Sequence, residues 1–194
     1  VYDGAGLFSA PRVWFTFKVF GAADVYILDG GLPAWRAKGL PVESGNVVRA
    51  PGSFTPRFSR SMVADLDRVD HALQQKTAQV IDARPAGRFR GEEAEPRAGV
   101  ASGHIPGSIN VPSSELVKDG RLASPDQIKK AFDQAGYDPS QPVIASCGSG
   151  VSAAVLWLAL EAIGKRPAAL YDGSWSEWGA NPSTPKATGP AKKS

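Results

Sequence analysis

The sequence is poor in the residues from which disulfides and metal sites are built. Its 194 residues include one cysteine, Cys147, and two histidines. A single cysteine excludes an intramolecular disulfide and fits a reducing compartment, so we expect a cytoplasmic protein. Three candidate ligands at wide spacing also argue against a structural zinc site, and we expect no metal or other cofactor.

Two further absences narrow the function classes. The sequence has no run of about 18 apolar residues, so we expect no helix that spans a membrane. The net charge is only +3, and no basic stripe with interleaved aromatic residues is present, so nucleic acid is not an expected partner. The apolar content of 42% is ample for a folded core.

The surroundings of Cys147 make it a candidate nucleophile. An apolar run at 143–146 predicts a buried strand, and an Ala/Leu-rich stretch from Val151 predicts a helix. Between them, Gly148 and Gly150 let the backbone curl around the sulfur. Loop N–H groups and the positive end of the helix dipole then converge on the thiol, which should ionise more easily. The alternative is a buried cysteine that serves only as a small apolar side chain.

The order of predicted elements indicates an α/β fold, with a central, mostly parallel sheet flanked by helices on both faces. The predicted strands are 25–28, 79–83, 108–111, 143–146 and 168–171. The predicted helices are 9–20, 33–38, 63–75, 125–135 and 151–163. We expect Ser61 to cap the third helix and Ser124 to cap the fourth. The apolar side of the first helix is expected to comprise Val13, Trp14, Phe17 and Phe20.

Five stretches resemble the 3-mercaptopyruvate sulfurtransferases, which are members of the rhodanese superfamily. They occur in that family's order and cover most of residues 61–181. They are Asp82-Ala83-Arg84 with Gly87-Arg88-Phe89-Arg90-Gly91, then Glu95-Pro96-Arg97, Gly103-His104-Ile105-Pro106-Gly107, Cys147-Gly148-Ser149-Gly150-Val151-Ser152-Ala153, and Asp172-Gly173-Ser174-Trp175-Ser176-Glu177-Trp178. The resemblance implies a rhodanese-like fold. It also implies an enzyme that moves sulfur from 3-mercaptopyruvate through a persulfide on Cys147, releasing pyruvate. The acceptor would be a small thiol, a thioredoxin-like protein or cyanide.

The resemblance further implies roles for individual residues. Arg88 and Arg97 match the family's carboxylate clamp, and a planar guanidinium group suits a carboxylate. Ser149 matches a loop serine that binds the substrate carbonyl or relays a proton. The residues expected to surround the persulfide with backbone N–H groups are Gly148, Ser149, Gly150, Val151 and Ser152. For the two arginines, the alternative is a pair of surface residues balanced by nearby glutamates. For His104, a structural role is favoured over that of a general base.

The loop sequence favours 3-mercaptopyruvate over thiosulfate. Thiosulfate-using relatives usually carry arginine or lysine in this loop to meet a doubly charged anion, whereas residues 148–150 are uncharged. A thiosulfate sulfurtransferase stays open as the alternative, and so does a non-catalytic rhodanese-like binding module. A phosphatase of the related kind needs the pattern Cys-x5-Arg, and Ala153 stands at the place of that arginine.

An internal repeat predicts the domain organisation. Residues 2–10 parallel residues 146–153 with one extra residue, Phe8, and Asp3 stands at the place of Cys147. A carboxylate cannot form a persulfide, so the first copy should be silent. We interpret the chain as four segments: 1–42, the C-terminal remnant of an inactive rhodanese-like domain; 43–60, an interdomain linker; 61–181, the catalytic domain; and 182–194, a loose tail.

The remnant should not fold alone, because it lacks most of the sheet that it would cover. We expect residues 1–42 to pack on a missing N-terminal half or to mediate self-association, rather than to be buried by the catalytic domain alone. We also expect Phe54 and Phe58 to anchor the linker in a surface groove.

Overall fold

The computed structural model describes residues 1–191. Seven strands occur in this range: β1 (Val63–Ala64), β2 (Gln79–Asp82), β3 (Ile109–Asn110), β4 (Val117–Lys118), β5 (Arg121–Leu122), β6 (Val143–Ser146) and β7 (Ala169–Tyr171). Five of them form a parallel sheet in the order β1-β7-β6-β2-β3. The other two, β4 and β5, pair with each other in antiparallel fashion. No helix in this range is long and apolar enough to cross a membrane.

The described residues contain eight α-helices, and some of them pack on each face of this sheet. They are α1 (Ala10–Val19), α2 (Gly31–Ala37), α3 (Leu66–Gln75), α4 (Ala86–Arg90), α5 (Ser113–Leu116), α6 (Pro125–Ala135), α7 (Ala153–Ala162) and α8 (Ser174–Trp178). Side chains of β6 alternate between the two cores: Val143 and Ala145 join α1, α6 and α7, whereas Ile144 joins α3 and α8. The predicted α/β fold is therefore confirmed.

Most predicted elements are present with slightly different ends. Ser124 caps α6 as expected, because its Oγ accepts a hydrogen bond from the N–H of Gln127 while Oε1 of Gln127 accepts one from the N–H of Ser124. The helix expected at 63–75 is wrong at its start. Residues 63–64 pair with β7 instead, and Asp65 rather than Ser61 caps α3. The start of α3 is set by the pairing of residues 63–64 with β7, which is distant in sequence. The periodicity of apolar residues does not reveal such a pairing.

The strand expected at 25–28 is absent. Within the described chain, the backbone of this stretch bonds to the backbone of one distant residue, Val1, through Tyr26 and Leu28. The carbonyl of Val25 accepts a side-chain hydrogen bond from Nε1 of Trp14 at 3.1 Å. A strand needs a neighbouring ladder, and one residue does not supply it.

The first helix packs differently from the prediction. Helix α1 lies against α7 in the main core, with the ring of Phe15 centred 4.8 Å from that of Trp157. Trp14 is buried as expected, whereas Val13, Phe17 and Phe20 are exposed, because a helix that is apolar on most sides does not reveal its inner face. The expectation that the catalytic domain does not bury this segment is thus wrong for the inner face of α1. Whether a further segment or second copy covers the outer face stays a prediction.

The linker and the tail also have defined contacts. Residues 43–59 form no helix or strand, and Phe54 and Phe58 are both more than half exposed, although Phe58 lies beside Phe20. The tail is not loose where it is described: Ala187 and His104 exchange two backbone hydrogen bonds, and Thr184 is buried. Residues 192–194 lie outside the described range. The assignment of the segments to two domains stays a prediction.

Packing of α1 on α7 predicts a difference between two phenylalanines of the same helix. Phe15→Ala removes a fully packed ring and should lower the free energy of unfolding by about 3–5 kcal/mol. Phe17→Ala, on the exposed face, should cost less than about 1 kcal/mol. Urea unfolding followed by tryptophan fluorescence measures both. Equal losses in the two variants would contradict this packing.

Candidate active site

Cys147 lies at the base of the largest concentration of predicted site residues. It follows β6 directly, is 1% exposed, and lines a cavity of about 500 Å³. The predicted residues that share this cavity are Arg88, Arg97, Gly148, Ser149, Val151 and Ser152. Gly150 does not line it. The cavity also has lining residues that sequence reasoning missed, namely Phe8, Ser113 and Ser176.

The loop that follows Cys147 presents unused hydrogen-bond donors. Within residues 1–191, none of the N–H groups of residues 148–153 donates to a protein acceptor. The carbonyl groups of the loop, by contrast, are bound from outside. The N–H groups of Trp175 and Ser176 donate to the carbonyls of Cys147 and Gly148, each at 2.9 Å. Gly150 and Ala153 are buried, and buried backbone donors are rarely left without a partner, so this loop is suited to hold an anion.

The N-terminal loop whose sequence parallels this one contains such an anion. Both oxygens of the Asp3 carboxylate accept backbone hydrogen bonds of 2.8–3.0 Å, and the donors are the N–H groups of Ala5, Phe8, Ser9 and Ala10. Burial raises the pKa of Asp3, but these four donors outweigh burial and hold the pKa below its ordinary value. In the sequence match, Ser9 and Ala10 correspond to Ser152 and Ala153, whose N–H groups have no such acceptor.

Ser174 supports Cys147 from the opposite side, and sequence reasoning did not single it out. Its Oγ accepts the N–H of Cys147 at 3.2 Å and donates to the carbonyl of Tyr171 at 2.7 Å. The same Oγ lies 4.0 Å from the sulfur. Ser174 has φ of 51°, which is rare for a side chain other than glycine. Nothing in the sequence signals this conformation.

A buried ionic network holds the long loop of residues 84–107 beside the cavity. Arg84 is 1% exposed and bonds to Asp82 and to Glu95, with its guanidinium 4.6 Å from the ring centre of Trp175. It also donates to the carbonyl of Gly103 at 2.8 Å. Oδ1 of Asp82 accepts the N–H of Arg84 at 2.9 Å, so both side chains bind backbone groups as well as each other. Such a pair is fully desolvated, so removal of one partner would leave an uncompensated charge.

The two arginines of the proposed clamp differ in their surroundings. The Nε of Arg88 donates to Glu95 at 3.1 Å, and its Nη2 binds the second oxygen of the same carboxylate. Hydrogen bonding to Glu95 raises the pKa of Arg88 above its ordinary value, so this guanidinium is always charged. Arg97 is exposed and has no hydrogen bond or ion pair to any residue of the described chain. The alternative, in which nearby glutamates balance both arginines, thus fits Arg88, which pairs with Glu95. It does not fit Arg97.

His104 has a structural position. Its ring stacks on Phe89 with centroids 3.9 Å apart, and its Nδ1 lies 2.8 Å from the carbonyl oxygen of Phe89, which can only accept. It does not line the cavity with Cys147. Burial lowers the pKa of His104 below 6.5 although the Phe89 carbonyl and Asp82 favour the charged ring.

Comparisons with known proteins agree with this geometry. Residues 65–181 match the model of the rhodanese-like domain family. The chain is 46% identical over 185 residues to 3-mercaptopyruvate sulfurtransferase from Escherichia coli strain K12, and this match covers 95% of the chain and 66% of that protein. It is 44% identical over 182 residues to thiosulfate sulfurtransferase from Rattus norvegicus, covering 92% and 61%.

One solved structure extends the comparison to the fold. The crystal structure of SseA from Escherichia coli matches with a TM-score of 0.80 and 46% identity, over 91% of this chain and 66% of that one. The chain therefore spans slightly less than two thirds of the length of these relatives.

The lowered pKa of His104 predicts acid sensitivity. A neutral buried imidazole stabilises the fold fully at pH values above its unfolded pKa, and this contribution is lost as the pH falls towards the folded-state pKa. The melting temperature should therefore fall between about pH 7.5 and about pH 5.5. His104→Asn, whose amide donates to the same carbonyl without titrating, should show a smaller fall. His71→Gln, at an exposed site, is the control and should keep the full fall. An unchanged fall in His104→Asn would contradict this assignment.

Proposed function

The chain belongs to the rhodanese family, and we propose that it carries the catalytic domain of a 3-mercaptopyruvate sulfurtransferase. In this proposal, sulfur passes from 3-mercaptopyruvate to Cys147 and then to a thiol or cyanide. The observation that carries the proposal is the set of unused N–H groups around Cys147, in a cavity that also contains Arg88 and Arg97.

The proposed first half-reaction balances without an external oxidant. The Cys147 thiolate attacks the thiol sulfur of 3-mercaptopyruvate, so an S–S bond forms while the bond between that sulfur and C3 breaks. The electron pair of the broken bond stays on C3 as an enolate. The proton of the substrate thiol is transferred to C3, which gives pyruvate and the anionic persulfide. Carbon is reduced in this step, and the transferred sulfur is oxidised to the sulfane level.

The loop supports the step by stabilising the anion that it produces. The persulfide charge lies one atom beyond the cysteine sulfur, where the N–H groups of residues 148–153 can reach it without any cationic side chain. The Asp3 loop supports this interpretation, because a related backbone turn there binds a carboxylate with four N–H donors. The start of α7 adds a favourable dipole. Ser149 is exposed at the cavity and would donate to the substrate carbonyl or relay its proton.

The charges around the cavity suit a substrate with one carboxylate. Asp82 and Glu95 balance Arg84 and Arg88 within the ionic network, which leaves the charge of Arg97 for the substrate. We propose that Arg97 binds the carboxylate together with the outer edge of Arg88. Each contact of this kind is charge-assisted and therefore strong.

Thiosulfate is the second candidate substrate, because the chain is nearly as similar to a thiosulfate sulfurtransferase. The loop argues against it. Residues 148–150 carry no cation, and the guanidinium of Arg88, which lies beside Gly148, is already paired with Glu95. A non-catalytic binding module would not need an intact nucleophile. The acceptor, the cytoplasmic location and a partner for the N-terminal segment stay predictions.

Sulfur uptake tests the nucleophile. Incubation with 3-mercaptopyruvate should add one sulfur atom, about 32 Da, to Cys147 and release one equivalent of pyruvate in a single turnover. Intact-mass spectrometry and a pyruvate assay measure the two products. Cys147→Ser should abolish both. Pyruvate release at the parent rate by Cys147→Ser would rule out this mechanism, and a parent without sulfur uptake would favour the binding module.

Arg97 predicts a change in substrate binding rather than in folding. Arg97→Met should raise KM for 3-mercaptopyruvate by about tenfold or more, because it removes a charge-assisted contact. Arg90→Met is the matched control: Arg90 pairs with the exposed Glu92, lies outside the cavity, and should leave KM unchanged. Steady-state kinetics with both substrates provides the measurement. A parent with a higher kcat/KM for thiosulfate would favour the second candidate, and equal effects of the two variants would remove Arg97 from the site.

A further inference from the structure

We propose that Arg12 is a positioning residue for the Cys147 loop, although it lies in the N-terminal segment, outside the residues that match the rhodanese-like domain. It holds the carbonyl of Gly150 so that the N–H of Val151 points towards the sulfur. This inference rests on the proposed function and adds to it a contribution of α1 to the catalytic loop.

The inference starts from the geometry of one peptide unit. Nη1 of Arg12 donates to the carbonyl oxygen of Gly150 at 3.1 Å. The C=O of Gly150 and the N–H of Val151 belong to the same planar trans peptide, so they point in opposite directions. A donor that fixes the carbonyl on the outer side of the loop therefore fixes the N–H on the inner side.

Four other peptide units around the loop are fixed in the same way, but by backbone groups. The carbonyls of Cys147 and Gly148 accept from the N–H groups at the start of α8, which directs the N–H groups of Gly148 and Ser149 away from α8. The carbonyls of Val151 and Ser152 accept N–H groups of α7. Among the described residues, the Gly150 carbonyl differs from the other carbonyls of this turn, because it accepts its hydrogen bond from a side chain of another segment.

The backbone at Gly150 is closely surrounded by Arg12 and Asp172. Gly150 has φ of 78°, and a Cβ at this position would lie 2.7 Å from Nη1 of Arg12 and 2.9 Å from the carbonyl of Asp172. The same Nη1 also pairs with the Asp172 carboxylate at 2.6 Å. Asp172 thus orients the guanidinium, and the guanidinium orients the peptide. Glycine is required here both by its backbone conformation and by the closeness of Arg12.

The competing interpretation is that Arg12 only fastens α1 to the rest of the molecule. Lys18 offers a matched control, because it lies on the same helix and pairs with Glu161 of α7 at 2.9 Å. Among the described residues, the polar partners of the Lys18 side chain are Glu161 and the ring of Trp14, and it makes no hydrogen bond to residues 147–153. A fastening role predicts similar effects of Arg12→Met and Lys18→Met, whereas a positioning role predicts different ones.

The experiment compares the parent, Arg12→Met, Arg12→Lys and Lys18→Met in a single turnover with 3-mercaptopyruvate. We expect Arg12→Met to slow persulfide formation about tenfold, because a charge-assisted hydrogen bond that orients the loop is lost. KM should change less than about twofold, because Arg12 does not line the cavity. Arg12→Lys keeps the charge and one donor and should recover most of the rate. Lys18→Met should react at the parent rate, and melting temperatures report the stability of each variant.

Equal rates for Arg12→Met and Lys18→Met would overturn the proposal, and so would a rise in KM at an unchanged rate. If Arg12→Met does not fold, Arg12→Lys decides: a rate below that of Lys18→Met supports the proposal, and an equal rate overturns it. If the parent takes up no sulfur, the proposed function fails, and alkylation by iodoacetamide still tests Arg12 because Cys147 is the one thiol of the sequence. Slower alkylation at neutral pH in Arg12→Met than in Lys18→Met supports the positioning role, and equal alkylation contradicts it.

Discussion

Within the described residues, the N–H groups of residues 148–153 bind no protein acceptor, whereas all but one of the carbonyls of the same peptides are held by neighbouring groups. When α8, α7 or Arg12 holds the carbonyl oxygen of a peptide, the N–H of that peptide is also fixed, because the unit is planar and the two groups point in opposite directions. In the proposed function, these donors form a preorganised site for negative charge at the end of a strand, with no cationic side chain in the loop itself. Preorganised donors of this kind do not have to reorient when charge develops, which is why they are effective in catalysis.

The rest of the fold serves this arrangement in two ways. The parallel sheet brings the end of β6 next to the end of β7, so that the residues after Tyr171 can bind the residues after Ser146. On the other side, the buried network around Arg84 joins β2 to the long loop that carries Arg88 and Arg97. Its guanidinium also lies over Trp175 of α8. Arg88, which shares Glu95 with Arg84, and the Cys147 loop are therefore connected through α8.

How far the fold and the site could be predicted depends on how far apart in sequence the interacting residues are. The strand at 143–146, the helix after Val151 and the cap at Ser124 depend on local patterns, and they were predicted closely. The strand at residues 63–64 and the packing of the tail depend on partners far away in sequence, and they were missed. The prediction of which side of α1 faces the core was also wrong, because apolar residues occur on most sides of that helix. Among the site residues, the predicted cysteine, loop and arginines do meet in one cavity. Ser174 and Arg12 were not predicted, because their roles depend on a backbone conformation and on a contact between distant segments.

The central physical claim is that backbone N–H groups hold the anionic sulfur, and a crystal structure of the persulfidated protein tests it most directly. The added sulfur should lie within about 3.5 Å of several backbone nitrogens of residues 148–153, at the place that corresponds to the Asp3 carboxylate in the N-terminal loop. The peptide of Gly150 and Val151 should keep its orientation, with Arg12 still on the carbonyl. A terminal sulfur that points away from these nitrogens, or one that is bound by a cationic side chain instead, would contradict the claim.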